Sequence, residues 1–180
     1  RFYAEAEGGE NIDRFGSPSM IRRNVEENFE QTEPFVGELL DGSTFQDLRV
    51  SLEAFMDRHR LLFERRREAG RIRDGHGDLR LDHVYFEAPI QIIDCIEFNE
   101  RFRCGDVAAD LAFPSMELDF RGYSHFGRLL MRYYALAATD PDVFAHLDFY
   151  KAYRAHVRAK VECLRIAEGD LDDGEAKSAR

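Results

Sequence analysis

The chain has 180 residues, 44% of them hydrophobic and 12% aromatic, which suits one globular domain with a sizeable core and excludes a wholly disordered chain. Its net charge of −10 argues against a nucleic-acid platform, because such binding draws on basic side chains that displace counterions, and no apolar run approaches the ~20 residues that a membrane-spanning helix needs. The three cysteines are widely spaced and odd in number, without a C-x-x-C pair, so a zinc site and a disulfide framework are both disfavoured and a reducing, cytoplasmic setting is expected.

Residues 1–7 read as the tail of a helix stopped by Gly8 and Gly9, as in a piece of a longer protein. Ser17 then offers an N-cap with Pro18 at the first helical position, and helix is predicted to about Leu40, bent near Pro34. In "STFQDLRVSLEAFMDRHRLLFERRREAG", Ser43 and Gln46 have capping-box spacing. Phe45, Leu48, Leu52, Phe55, His59 and Leu62 recur in steps of three and four, predicting one helix with a single buried stripe. The run "ERRRE" is expected to be a solvated last turn before Gly70.

"RDGHGDLRLDHVYF" (73–86) crowds aspartates, histidines and arginines in front of a β-rich run. "HVYFE", a break at Ala88 and Pro89, and "IQIID" predict a β-hairpin. Helix returns in "DVAADLAFPSMELDF", where Pro114 is expected to kink or split it, and "YSHFGRLLMRYYALAA" predicts one more. A short helix after Pro141 and a last one from Phe149 to Ala167 follow, the latter with Tyr150, Tyr153, Val157, Val161 and Leu164 on one face. The expected architecture is mainly α with a small β-hairpin over residues 1–167, followed by an acidic linker or tail over 168–180.

A hairpin brings strand ends together, so Asp78, His83 and Asp94 are candidates to converge on one cleft. Acceptors around a cation, with another carboxylate free as a base, are a common plan for phosphoryl transfer. Aspartates on a loop beside glycine also serve plain turn formation.

"HGDLRLDHVYF…PIQIIDCIEF…GDVAADLAF" resembles the catalytic segment of the aminoglycoside phosphotransferase family, within the protein-kinase-like fold. That pattern has His-Gly-Asp, an Asn five residues after the Asp, a hairpin ending in a metal-binding Asp, and a helix bearing Gly-Asp…Asp-Leu-Ala. His76-Gly77-Asp78, Ile93-Asp94 and Gly105-Asp106…Asp110-Leu111-Ala112 match it, over roughly Arg71 to Phe113. The segment looks more narrowly like a bacterial branch in which such a domain is covalently linked to a P-loop ATPase domain, although no P-loop stands in these 180 residues.

The resemblance implies the helical C-terminal lobe of a small-molecule kinase, moving a γ-phosphoryl group from ATP to a substrate hydroxyl. It implies Asp78 as catalytic base, Asp94 as metal ligand, and His76 and Asp110 as structural braces. Arg80 would face the transferred phosphate or make a surface salt bridge. The main departure is His83, which stands where the pattern has Asn. Imidazole suits softer ions, so the implied cofactor is ATP with Mg2+, with Mn2+ admitted by His83. No Gly-rich phosphate loop and no strand lysine precede the segment, so the N-terminal nucleotide lobe is absent and the fragment alone is expected to be inactive. Two other readings stand beside this one: a catalytically degraded kinase-like binding or regulatory module, and a metal-dependent phosphohydrolase built from His76, Asp78, His83 and Asp94.

Overall fold

In a computed structural model of the chain, residues 2–169 are described. The segment 170–180, which holds most of the expected acidic tail, lies outside them. Helices carry most of the fold: α1 (Phe2–Glu5), α2 (Glu10–Asp13), α3 (Pro18–Thr32), α4 (Gly42–Arg58), α5 (Arg60–Glu68), α6 (Glu100–Arg103), α7 (Val107–Phe120), α8 (Ser124–Ala137) and α9 (Val143–Glu168). Among the described residues, four short strands make two antiparallel pairs. β1 (Ile72–Asp74) pairs with β4 (Cys104–Asp106), and β2 (Val84–Tyr85) pairs with β3 (Gln91–Ile92). The second pair is the predicted hairpin, so the chain is mainly α with a small hairpin. No described helix is long and apolar enough to cross a membrane.

α7 is the central element, packed against both α8 and α9. Val107, Ala108, Leu111 and Ala112 face inward from it and join Val25, Phe29, Phe45, Leu52, Met56, Phe63, Met131 and Phe149 in one core. A smaller cluster of Ile12, Phe15, Ile72 and Cys104 lies under the β1–β4 pair. That burial on all sides holds α7 unbroken through Pro114, where sequence predicts a kink or a split.

Several boundaries differ from expectation, each for a local reason. α3 ends at Thr32, since Glu33–Phe35, with Pro34 at its centre, form a 3-10 turn and residues 36–40 close a loop of their own. The cap of α4 is Asp41, not Ser43: its carboxylate accepts from the Thr44 N–H at 2.7 Å and from the Ser43 hydroxyl at 2.6 Å. A turn at His59 separates α4 from α5. The two predicted C-terminal helices are one, α9, because nothing between Pro141 and Gly169 breaks a helix. Its inner face runs through His146, Phe149, Tyr150, Arg154 and Cys163, while Val161 and Leu164 are exposed.

Arg66 is the largest correction. It is not a solvated helix end but is 2% exposed, with its guanidinium bidentate on Asp106 (2.8 and 2.7 Å) and a third bond to Asp140 at 2.6 Å. Asp106 also caps α7 by accepting from the Ala108 N–H. This triad ties the end of α5 to the start of α7 and to the loop before α9.

Candidate functional site

The loop His76–Gly77–Asp78 leaves β1 just where β4 feeds into α7, and that pairing puts Asp110 of α7 beneath it. Asp110 is 4% exposed. Its Oδ2 accepts the His76 N–H at 2.7 Å, and its Oδ1 accepts the Gly77 N–H at 2.9 Å. The Tyr3 hydroxyl donates to Oδ2 at 3.3 Å, and an Arg154 nitrogen lies 3.7 Å from Oδ1. Burial and the Asp110 charge together push the Tyr3 phenol well above its ordinary range.

Gly77 has φ of 80°, and a Cβ there would sit 2.6 Å from the Phe102 carbonyl oxygen. The close approach and the positive φ both require glycine. Leu79, directly after Asp78, is buried in the main core and anchors the loop from the other side.

His76 couples this loop to the segment that carries Asp94. Its Nδ1 accepts from the Asp78 N–H at 3.3 Å, so Nε2 carries the hydrogen and donates to the Ile93 carbonyl at 2.8 Å. The His76 carbonyl in turn accepts from the Ile96 N–H at 3.0 Å. Asp94 itself has φ of 62°, a left-handed conformation that costs a non-glycine residue about 1–2 kcal/mol and that Asp tolerates better than most.

Asp78, His83 and Asp94 meet around one imidazole. His83 ends a short 3-10 turn (Leu81–His83) and is 8% exposed. Its Nδ1 donates to the Asp78 carbonyl at 2.9 Å and lies 3.8 Å from Asp78 Oδ2. Its Nε2 lies 3.3 Å from Asp94 Oδ2. The Asp78 side chain is 32% exposed and that of Asp94 74%, so both carboxylates reach solvent while the ring between them is covered.

Arg80 has an Nη 3.1 Å from Asp82 and its Nε 3.5 Å from Glu117. Of the two roles considered from sequence, the salt bridge is the one drawn here. Asp82 pairs with Arg80 and Arg121. Glu117 escaped the sequence reading, yet its Oε2 accepts the Leu81 N–H at 2.7 Å and holds the far end of the loop. Its signal was its place seven residues after Asp110, two turns along the same face of α7.

Beyond Asp94 the surface is apolar: Tyr85, Phe86, Ile90, Ile92, Ile93 and Phe98 are all exposed on the hairpin and the turn that follows. Ile92, Ile93, Asp94, Cys95, Glu97 and Phe98 line an open groove there. Among the described residues, no group of three or more His, Cys, Asp or Glu side chains gathers closely enough to hold a metal ion. Nε2 of His83 and the Asp94 carboxylate face each other at 3.3 Å, the spacing of an ion pair.

No known protein-family profile matches the chain, and no solved structure does. Curated relatives do. The uncharacterized protein Rv2004c of Mycobacterium tuberculosis is 32% identical over 170 residues, covering 94% of this chain and 34% of the relative. The uncharacterized protein Mb2027c of Mycobacterium bovis matches to the same extent. This chain thus spans about a third of the length of the curated relatives it matches, 34% of each.

Proposed function

We propose that this chain is the helical lobe of a kinase-like, ATP-dependent phosphotransferase acting on the hydroxyl of a small molecule. The observation that carries the reading is the meeting of Asp78 and Asp94 at His83, on two backbone segments that His76 bonds together. Asp78 is the base. Its partly exposed carboxylate takes the proton of the substrate hydroxyl as that oxygen bonds to the γ-phosphorus and the bond to the bridging oxygen of ATP breaks, releasing ADP. Asp94, with His83 behind it, would hold a divalent cation such as Mg2+, which when bound offsets the negative charge of the phosphates. His76, Asp110 and Glu117 keep the loop in place through backbone N–H and C=O groups, so that positioning precedes substrate.

On this reading the nucleotide-covering lobe belongs to a longer protein, and a covalently linked P-loop ATPase domain is a separate partner. The three cysteines are free, in keeping with a cytoplasmic protein. The test is ADP formation from ATP by the longer protein, with Asp78→Asn beside it. A loss of about 100-fold or more is expected for a general base. Unchanged turnover in Asp78→Asn sinks the assignment. Nucleotide binding without turnover in either protein favours the second reading, a regulatory module, for which the imidazole set between the two carboxylates is the specific observation. Phosphoester cleavage that needs a metal but no ATP would favour the hydrolase instead.

A further inference from the structure

We propose that the outer face of α8 is a self-association surface, on which a second copy of this chain packs its own α8 antiparallel about a two-fold axis. Tyr123, Phe126, Leu129, Tyr133 and Leu136 are each 43–70% exposed there. The opposite face fixes the helix on the domain. Gly127 and Met131 are buried, a Cβ on Gly127 would lie 3.0 Å from the Ser115 hydroxyl of α7, and the Tyr134 hydroxyl donates to Asp140 at 2.9 Å. The Tyr123 and Phe126 rings have centres 6.3 Å apart, so the stripe is continuous at its start. At about 200 Å2 for each side chain fully exposed, the five leave about 600 Å2 in water, the top of the range for the largest apolar patch of a monomer. Two copies would bury about 1,100 Å2, which clears the ~1,000 Å2 that a specific interface needs.

The helical positions of the stripe, Phe126, Leu129, Tyr133 and Leu136, follow in steps of three, four and three, which read the same from either end. A two-fold axis level with Met131 therefore sets Phe126 on the second copy's Leu136 and Leu129 on the second copy's Tyr133. Each layer then holds one ring and one aliphatic side chain, whereas a parallel pair would stack Tyr133 on Tyr133. Steps of three and four also suit the shallow crossing of about 20° at which helices pack side by side. Arg128 and Arg132 are exposed along one edge of the stripe, and α8 has no acidic residue. The two-fold lays that edge beside its own copy, and each chain carries a net charge of −10. Like charge thus opposes the pair while apolar area drives it, so salt, which screens the charge, strengthens the association.

Sedimentation equilibrium of the full chain tests this. A monomer–dimer equilibrium with Kd on the order of 10 µM is expected, tightening as NaCl is raised. Leu129→Glu puts a charge in the middle of the stripe and should raise Kd by about 30-fold or more. Leu61→Glu, at an exposed leucine of α5, should leave it unchanged, and thermal unfolding checks that both variants are folded. Mild oxidation of the double variant Phe126→Cys, Leu136→Cys should give a covalent dimer beyond the background of the exposed Cys95 in the native chain. Phe126→Cys alone should not, because the antiparallel pair holds its two copies about 15 Å apart along the helix. A chain that stays monomeric to about 1 mM overturns the proposal, as does the same Kd in Leu129→Glu and Leu61→Glu. Weakening by salt overturns it too, since that would mark an oppositely charged partner surface, and cross-linking of Phe126→Cys alone overturns the antiparallel register. No nucleotide enters these measurements, so the outcome is independent of the phosphotransferase reading.

Discussion

Replacing Asp110 by Asn keeps shape and volume while changing what two backbone amides meet. In the native chain each carboxylate oxygen takes one N–H, from His76 at 2.7 Å and from Gly77 at 2.9 Å. An Asn side chain offers one oxygen and one NH2, so one of those amides must face a donor. The change removes one charge-assisted hydrogen bond and leaves a buried N–H without a partner, together about 3 kcal/mol. Arg154, 3.7 Å from Oδ1, also loses a countercharge, which adds to the cost. Three kcal/mol corresponds to roughly a hundredfold in an opening equilibrium. Amide hydrogen exchange followed by NMR should therefore speed up on the order of 100-fold at His76 or Gly77, beyond any change at amides of α9. Asp119→Asn is the control: that carboxylate is exposed at the end of α7 and pairs with Lys151 at 2.7 Å, a surface contact worth about 1 kcal/mol at most. Equal effects of the two substitutions, or unchanged exchange at both loop amides, would refute the claim that Asp110 holds the loop.

Two further outcomes follow from buried charge and buried imidazole. Arg66→Met strands Asp106 and Asp140 in the core and should cost about 3–5 kcal/mol, lowering Tm by on the order of 10 °C, while Arg65→Met and Arg67→Met stay within about 0.5 kcal/mol; equal melting of the three variants would contradict the triad. His156 is 4% exposed beside Phe29, and burial, aided by Lys160, pushes its pKa down from 6.5 to about 4. The unfolded chain therefore takes a proton that the folded chain refuses, so this contribution is complete above pH 6.5 and is lost as pH falls toward 4, about 2 kcal/mol of it between pH 7 and 5. Urea midpoints across that window measure the slope, which His156→Leu should flatten by about that amount; the same slope in both proteins would count against a neutral, buried ring.

What the sequence made legible is local. His76, Gly77 and Asp78 sit within three residues, and the hairpin that returns Asp94 to them is a short-range element with its turn residues in view, so both the hairpin and the candidate loop could be named without coordinates. The Arg66 triad could not, because its partners stand 40 and 74 residues away and nothing in "ERRRE" separates the buried arginine from the exposed Arg65 and half-buried Arg67 beside it. The β1–β4 pair is three residues on each side with the whole hairpin between, too short for a period-two pattern to show. Glu117 was legible only once Asp110 had a role, since helical spacing says which residues share a face and not what that face touches.

The positions of Asp78 and Asp94 are linked more tightly than their separation in sequence suggests. His76 accepts from the amide of Asp78 and donates to the carbonyl just before Asp94, and its own carbonyl holds Ile96 two residues beyond. His83 repeats the pattern, donating to the carbonyl of Asp78 and accepting, through its own carbonyl, from the N–H of Ile93. Two imidazoles, with ring centres 6.0 Å apart, thus stitch the backbones of both carboxylates into one unit. Asp110 and Glu117, from one face of α7, fasten that unit to the core. Such an arrangement places the loss of conformational entropy of both carboxylate-bearing segments in folding. It also explains why a left-handed Asp94 is tolerated, because hydrogen bonds to its neighbours on both sides determine its backbone and offset the strain.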